Sequence, residues 1–250
     1  MAESRSEIAR AGFGATTRRD AWWLELIPVV IVLGAFSVYA TWRTFENGYY
    51  EWGPYLSPFY SPLIRPRWWP LSPAILILWA PLGFRATCYY YRKAYYRSFF
   101  LDPPACAVGE MRPHRYQGET AFPLILQNLH RYFLYVALIF LIILWYDAIC
   151  AFRFDGHFGV GLGSLVLVLN IFLLSLYALS CHSLRHLVGG QIDCFSCVSF
   201  GGPRHTAWRG VSILNERHML FAWLSLFSVG LSDLYIRLVA TGAITDLRFL

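Results

Sequence analysis

Tyr135–Tyr146 reads YVALIFLIILWY, an unbroken run of apolar and aromatic residues without a single charge. The run lies inside a longer apolar segment, 122–149, which exceeds the roughly 20 residues that a helix needs to cross a bilayer. The whole chain of 250 residues is 57% hydrophobic and 14% charged. Soluble domains carry about 25% charged residues. The sequence therefore predicts an integral membrane protein.

Four further segments have the length and apolar character of a membrane span. Together the segments predict an all-α integral membrane protein, a bundle of five transmembrane helices that forms a single domain over residues 1–250. The second segment is the weakest because prolines and an arginine lie inside it. The five predicted spans are 22–42, 71–91, 122–149, 162–187 and 211–240.

Positive charges orient the predicted bundle. With the N-terminus in the cytoplasm, thirteen Lys and Arg residues fall on the cytoplasmic side and six on the outer side, which follows the positive-inside rule. The cytoplasmic loops are then 92–121 and 188–210. This distribution accounts for the net charge of +6, and no basic run is long enough to follow a nucleic-acid backbone. The polar start of the chain shows no cleavage motif, so the first helix is expected to stay uncleaved.

Ser180–Cys197, SCHSLRHLVGGQIDCFSC, concentrates soft metal ligands at the end of the fourth predicted span. His182 and His186 are four residues apart, so a helix places both rings on one face. Cys194 and Cys197 form a C-x-x-C pair, and the two glycines before it allow the chain to fold back. Two histidines with two cysteines suit either a zinc ion or a Rieske-type [2Fe–2S] cluster. These four residues are the first predicted ligand set.

A second predicted ligand set uses other soft ligands on the same side. Five of the six cysteines fall on the predicted cytoplasmic side, and only Cys150 lies outside. In this set His130 pairs with a histidine of the fourth helix, while Cys88 and Cys106 supply thiolates. Cys181 is a weaker candidate, since a lone helical cysteine is often a packed core residue. A disulfide is not expected on a cytoplasmic face.

Two other interpretations of these ligands stay open. Histidines on facing helices can hold a haem axially, and His130 with His182 or His186 would allow one b-type haem. Alternatively, the chain is a membrane scaffold or transporter with a structural zinc site. Transporters usually carry broken helices or repeats at the bilayer midplane, whereas the polar residues here gather at one face.

Aromatic and polar residues near the cytoplasmic side also predict a quinone pocket. A quinone headgroup needs aromatic surfaces and a few convergent polar groups. The candidate quinone-binding residues are Gln127, Arg131, Tyr132, Tyr135 and Trp208.

Four motifs resemble the membrane anchor subunit of an actinobacterial, mycobacterial-type succinate dehydrogenase, the respiratory complex II. They cover the second to fourth predicted helices and their inner loops, about half of the chain. The motifs are TCYYYRKAYYRSFF at 87–100, DPPACAVGE at 102–110, QNLHRYFLY at 127–135 and the SCHSLRHLVGGQIDCFSC segment.

The resemblance implies a multi-pass anchor in the bacterial plasma membrane. A flavoprotein subunit and an iron–sulfur subunit would dock on its cytoplasmic face and pass electrons from succinate to menaquinone. The anchor would be part of the enzyme without oxidising succinate itself, so it carries no catalytic residue for succinate. The unusual cysteines favour an iron–sulfur centre, a His/Cys-ligated [2Fe–2S] cluster, over haem. The physiological direction and any higher oligomer of the complex are left open.

Overall fold

The apolar segments form long helices in the computed structural model of the chain, which describes residues 12–111, 120–122 and 124–250. Four helical segments of the described part are long and apolar enough to cross a membrane: Trp22–Glu46, Leu124–Cys150, Leu162–Leu179 and His218–Ala240. The α-helices are α1 (Leu26–Glu46), α2 (Ala74–Ile77), α3 (Trp79–Ala86), α4 (Tyr89–Tyr95), α5 (His130–Cys150), α6 (Leu162–Leu179), α7 (His182–Arg185), α8 (Gly201–Glu216) and α9 (His218–Ala240).

Short elements connect these helices. The 3-10 helices are Trp22–Glu25, Pro58–Tyr60, Leu124–Leu129 and Phe195–Cys197, and the π-helical turns are Tyr96–Phe100 and His186–Gly190. Two antiparallel hairpins are formed by β1 (Glu51–Trp52) with β2 (Tyr55–Leu56) and by β3 (Arg153–Phe154) with β4 (His157–Phe158).

The predicted second span, 71–91, is not one continuous helix. It divides into the short helices α2, α3 and α4, so four helical segments of the described residues are long and apolar enough to cross a membrane, and the fifth predicted span is not confirmed. Pro81 explains the first break, because it lacks the N–H that would bond to the carbonyl of Ile77, and α2 ends at Ile77. The second break falls at Cys88, whose backbone is extended with φ −64° and ψ 130°.

Two other predicted spans end differently from expectation. The fourth, 162–187, is interrupted after Leu179, and the chain resumes as the four-residue helix α7. The fifth, 211–240, combines the end of α8 with α9, and the two helices are separated at Arg217. The positive charges at 5, 10, 112 and 115, on which the predicted cytoplasmic N-terminus partly rests, lie outside the described residues.

Contacts divide the chain into two compact units. The first unit comprises Met1–Thr41 with Arg85–Leu129, and the second comprises Trp42–Phe84 with His130–Leu250. In the second unit, α6 packs against α5 and α9. Its apolar core is closed at the hairpin end by Tyr55, which lies beside Phe154 at 5.8 Å between ring centroids. The candidate residues for redox chemistry lie at the other end of α6.

A buried charge network lies at the hairpin end of the second unit. Arg237 Nε donates to Asp233 Oδ2 at 2.9 Å, and Nη1 donates to Glu46 Oε2 at 2.7 Å. The Ser57 hydroxyl also donates to Asp233. The side chains of Arg237 and Asp233 are 3% and 0% exposed, so each charge depends on its partners for stabilisation. The network ties the end of α1 and the following loop to α9.

Candidate functional site

A break in the helix after α6 positions the first candidate ligand. Ser180 ends the helix, and Cys181 adopts an extended backbone with φ −66° and ψ 138° before α7 begins. The Cys181 sulfur accepts a hydrogen bond from the backbone N–H of Ser183 at 3.3 Å. Cys181 is only 1% exposed, so the thiol lies in the interior at this end of the bundle.

His130 contacts Cys181 from a different helix. His130 is the first residue of α5, and its Nε2 lies 3.1 Å from Cys181 Sγ. The ring stacks on Phe84 with 4.8 Å between centroids and 6° between planes. The backbone carbonyl of Phe84 accepts a hydrogen bond from the same imidazole. Since Nε2 faces sulfur, the carbonyl orients the ring through the other nitrogen, as second-shell carbonyls do for metal-binding histidines.

His218 was not among the residues predicted from the sequence. It begins α9, is 6% exposed, and its Nδ1 lies 2.7 Å from Ser180 Oγ. Because that hydroxyl donates to the Tyr177 carbonyl at 3.0 Å, Nδ1 is the donor and the Nε2 atom carries the lone pair. Tyr177 also stacks on the ring at 5.2 Å. The only signal for His218 in the sequence was its position at the start of an apolar helix.

His182 completes this group of ligand types. Its ring centroid lies 6.3 Å from that of His218. Desolvation, together with the positive charge of Arg185, lowers the pKa of His182 from its usual value. The lower pKa favours the neutral ring that binds metals. We call His130, Cys181, His182 and His218 the His/Cys cluster. In the described part of the chain, no three His, Cys, Asp or Glu side chains are close enough together to hold a metal ion.

The first predicted ligand set, His182 and His186 with Cys194 and Cys197, has a different arrangement in the structure. Cys194 and Cys197 are joined by a disulfide, although a disulfide was not expected there. Their Cα atoms are 5.3 Å apart, which is within the range that a disulfide spans. His186 Nδ1 accepts a hydrogen bond from Arg131 Nη2 at 2.7 Å, so a positive charge lies beside that ring. The four-residue set stays a prediction from the sequence.

The cysteines of the second predicted set have contrasting environments. Cys88, in the first unit, is 1% exposed. Cys106 is exposed, and its backbone carbonyl accepts a hydrogen bond from Arg18 Nη1 at 3.1 Å. Their role as thiolate ligands also stays a prediction.

A cationic cavity of about 720 Å³ opens beside α7 in the second unit. No acidic residue in the described part of the chain lines it. The lining residues are Arg131, His182, Ser183, Arg185, His186, Gly189, Gly190, Ile192, Phe195 and Trp208.

An aromatic cavity, also of about 720 Å³, lies in the first unit. Gln127 supplies its most distinctive polar group, because the buried Oε1 atom has no hydrogen-bond partner among the described residues. The Gln127 side chain hydrogen-bonds to Tyr95, whose hydroxyl donates to the Ala86 carbonyl at 2.9 Å. The lining residues are Ala86, Thr87, Tyr95, Tyr96, Phe99, Phe100, Asp102, Met111, Leu126 and Gln127.

The predicted quinone-binding residues divide among three places. Gln127 lines the aromatic cavity, whereas Arg131 and Trp208 line the cationic cavity. Tyr132 and Tyr135 line neither of these two cavities and are 67% and 45% exposed on the surface of α5. The aromatic residues beside Gln127 were missed as a group, since they lie about 30 residues earlier in the chain.

Comparison with known proteins places this arrangement in a family. A profile described as "Actinobacterial succinate dehydrogenase subunit SdhC" matches residues 24–242, which is most of the chain. The chain belongs to the actinobacterial SdhC family. This SdhC chain is similar to a chain of the solved structure "Mycobacterium smegmatis Sdh1 complex in the apo form", with 47% identity over 94% of each chain and a TM-score of 0.85. No curated protein sequence matches it.

Membership of the SdhC family confirms the resemblance found in the motifs. The chain is the membrane subunit of a succinate dehydrogenase, an oxidoreductase, and a multi-pass membrane protein of the actinobacterial type. Its partners are other succinate dehydrogenase subunits.

Proposed function

We propose that this SdhC chain anchors the flavoprotein and iron–sulfur subunits of succinate dehydrogenase at the cytoplasmic face of the plasma membrane. We further propose that it relays electrons to menaquinone through a His/Cys-ligated [2Fe–2S] centre. The observation that carries the proposal is the buried contact of 3.1 Å between His130 Nε2 and Cys181 Sγ. A histidine and a cysteine from separate helices meet there in an apolar environment.

The donors of the His/Cys cluster fit an iron–sulfur group in their chemistry. Imidazole nitrogen and thiolate sulfur are the ligands of Rieske-type centres. The Phe84 carbonyl and the Ser180 hydroxyl orient His130 and His218, and such outer partners fix which ring nitrogen binds. His130 and Cys181, which are in contact, would supply two of its ligands, and His182 and His218 are the candidates to complete the set, although no third side chain of the described residues lies close enough in this structure. A bound centre of this kind supplies a one-electron carrier whose potential exceeds that of an all-cysteine cluster.

The aromatic cavity is the proposed site for the quinone headgroup. Four aromatic residues (Tyr95, Tyr96, Phe99 and Phe100) line it and offer surfaces for stacking. The buried Gln127 Oε1 atom is an acceptor that a quinol hydroxyl would satisfy by donating a hydrogen bond. Its volume of about 720 Å³ lies within the usual range of roughly 300–1,000 Å³ for small-molecule sites.

Low-temperature EPR and a visible spectrum of the purified, dithionite-reduced complex test the redox proposal. We expect a Rieske-type signal from the wild-type complex. The variants His130→Ala and Cys181→Ser should lose both this signal and quinone reduction. Dye-linked succinate oxidation should be retained, because it uses the soluble subunits alone. The matched control is Cys194→Ser with Cys197→Ser, which should keep the signal.

Other spectra would contradict the proposed ligands. Loss of the signal in the Cys194/Cys197 variant alone would assign the centre to the first predicted set. A haem band that disappears with His130→Ala would identify a haem anchor instead. Quinone reduction that survives both cluster variants would refute the relay.

The quinone site is tested separately by Gln127→Leu, which keeps the size of the side chain and removes the acceptor. We expect the KM for a soluble menaquinone analogue to rise about tenfold, as the loss of a hydrogen bond to a buried partner predicts. The control Gln191→Leu changes an exposed glutamine outside the aromatic cavity and should leave KM unchanged. An unchanged KM in Gln127→Leu would exclude this cavity as the headgroup site.

A further inference from the structure

The cationic cavity beside α7 has no part in the proposed electron path beyond the ring of His182. Its charge comes from the guanidinium groups of Arg131 and Arg185. Among the described residues neither arginine forms an ion pair with a carboxylate, whereas Arg43, Arg65 and Arg237 all do. Two uncompensated arginines in one cavity are typical of a site for an anion.

The arginines are held in fixed positions by neighbouring groups. Arg185 Nε donates to Ser212 Oγ at 2.8 Å, and its guanidinium lies 5.0 Å from the centre of the Trp208 ring. Arg131 Nη2 donates to His186 Nδ1 at 2.7 Å. Because Nδ1 accepts this bond, the proton of the neutral His186 ring is on Nε2, which is therefore a further donor. A pre-ordered set of donors loses little side-chain entropy when it binds a ligand.

We propose that this cavity binds the phosphate group of an anionic phospholipid. Guanidinium groups match phosphate oxygens in geometry and bind them with paired, charge-assisted hydrogen bonds. Arg131 lies near the start of the candidate membrane span Leu124–Cys150, and Arg185 lies six residues after the end of α6, which supports a position of the cavity near a membrane boundary. Anionic headgroups are concentrated at that depth, and basic pockets between helices are suited to them.

Exposed apolar side chains beside the arginines favour a lipid over a free anion. Tyr132 follows Arg131 in the chain and is 67% exposed, and Leu187 follows His186 and is 36% exposed. Both are adjacent in sequence to residues that line the cavity, and they offer apolar surface for acyl chains. A free phosphate ion would use the arginines alone and would leave this surface without a role in binding.

Native mass spectrometry of the purified, delipidated complex tests this site. The complex is titrated with dioleoylphosphatidylglycerol and, in a separate series, with inorganic phosphate. We expect one tight phosphatidylglycerol adduct on the wild-type complex. In Arg131→Gln with Arg185→Gln its affinity should fall at least about tenfold, since each lost charge-assisted hydrogen bond contributes roughly 1.5–3 kcal/mol.

The matched control removes two positive charges elsewhere on the same side of the chain. Arg209→Gln with Arg217→Gln changes two exposed arginines that do not line the cavity, and the adduct should persist. A second variant, Arg131→Lys with Arg185→Lys, keeps the charge and loses the planar fork. It should bind with intermediate affinity, which separates a lost site from a misfolded chain.

Three results would overturn the proposal. An adduct that is equally tight in the wild type and in the glutamine variant would place the lipid elsewhere. Binding of inorganic phosphate without phosphatidylglycerol would assign the cavity to a free anion. Loss of the soluble subunits from the glutamine variant, with no lipid adduct on the wild type, would assign the arginines to a subunit interface. None of these readouts depends on the redox centre or on the quinone cavity.

Discussion

Replacement of Arg237 by methionine should destabilise the chain strongly. The guanidinium is 3% exposed and donates to Asp233, Glu46 and the carbonyl of Gly48 at distances of 2.9, 2.7 and 2.6 Å. Methionine fills a similar volume but leaves Asp233, which is 0% exposed, as a buried charge without its counter-ion. Glu46 keeps its second partner, Arg43, at 2.7 Å. The expected loss is about 3–5 kcal/mol, the usual cost of breaking a buried ion pair from one side.

An exposed ion pair in the same chain provides a comparison for the expected loss of stability in Arg237→Met. Arg65 pairs with Glu51 at 2.9 Å, but the two side chains are 49% and 53% exposed. Water and salt screen such a pair, so Arg65→Met should cost less than about 1 kcal/mol. The double variant Arg237→Met with Asp233→Asn removes both buried charges and keeps an acceptor for Ser57. It should recover much of the loss, because no buried carboxylate is left without the Arg237 guanidinium.

Heat treatment of the purified complex followed by size-exclusion chromatography of a fluorescently tagged anchor measures these differences. For a chain of this size roughly 2–4 °C of melting temperature corresponds to 1 kcal/mol, so Arg237→Met should melt about 6–20 °C lower. Arg65→Met should stay within about 4 °C of the wild type. Equal shifts for Arg237→Met and Arg65→Met, or a double variant no more stable than Arg237→Met, would refute the assignment of the cost to the loss of the guanidinium beside the buried Asp233 carboxylate.

Two further predictions concern packing and pH. Gly83→Ala should cost about 1–3 kcal/mol of stability, because the new Cβ would overlap the Phe133 ring. Gly34→Ala has open space around it in α1 and should be neutral or stabilising. The melting temperature should therefore fall in the first variant and stay the same or rise in the second. Burial raises the pKa of Tyr55 to about 12, against about 10 in an unfolded chain, so its contribution to stability is complete below pH 10 and is lost as the pH rises through 12. Tyr55→Phe should reduce the fall of melting temperature over that interval, and an unchanged alkaline slope would contradict the assignment.

Hydropathy predicted the long helices well because the transfer of apolar residues into lipid is nearly additive along a segment. The segment around Tyr135–Tyr146 is a helix long and apolar enough to cross a membrane, as are the helices of the first, fourth and fifth predicted segments. Helix breaks are less predictable, since they depend on single residues. Pro81 indicated a possible break in the second span, but the interruption at Ser180 contains neither glycine nor proline.

The candidate site was predictable as a region but not as a set of contacts. The sequence pointed to His182 and to the weaker candidates His130 and Cys181, which do lie near one another. Cys194 and Cys197 were ranked higher because they are near His182 and His186 in the sequence, and nearness in sequence was taken to predict nearness in space. The structure joins these two cysteines to each other, and it brings in His218 from 38 residues beyond Ser180. Such contacts depend on how α5, α6 and α9 pack, which the period of one helix does not specify.

The members of the His/Cys cluster share a position that explains how they meet. His130 lies where a 3-10 helix becomes α5, Cys181 lies in the break between α6 and α7, and His218 follows the break between α8 and α9. Within an uninterrupted helix, side chains point outward at angles fixed by the 3.6-residue period. At a junction the chain changes direction, so a side chain can turn toward a neighbouring helix end. The contacts of the His/Cys cluster therefore depend on these interruptions rather than on the continuous apolar helices.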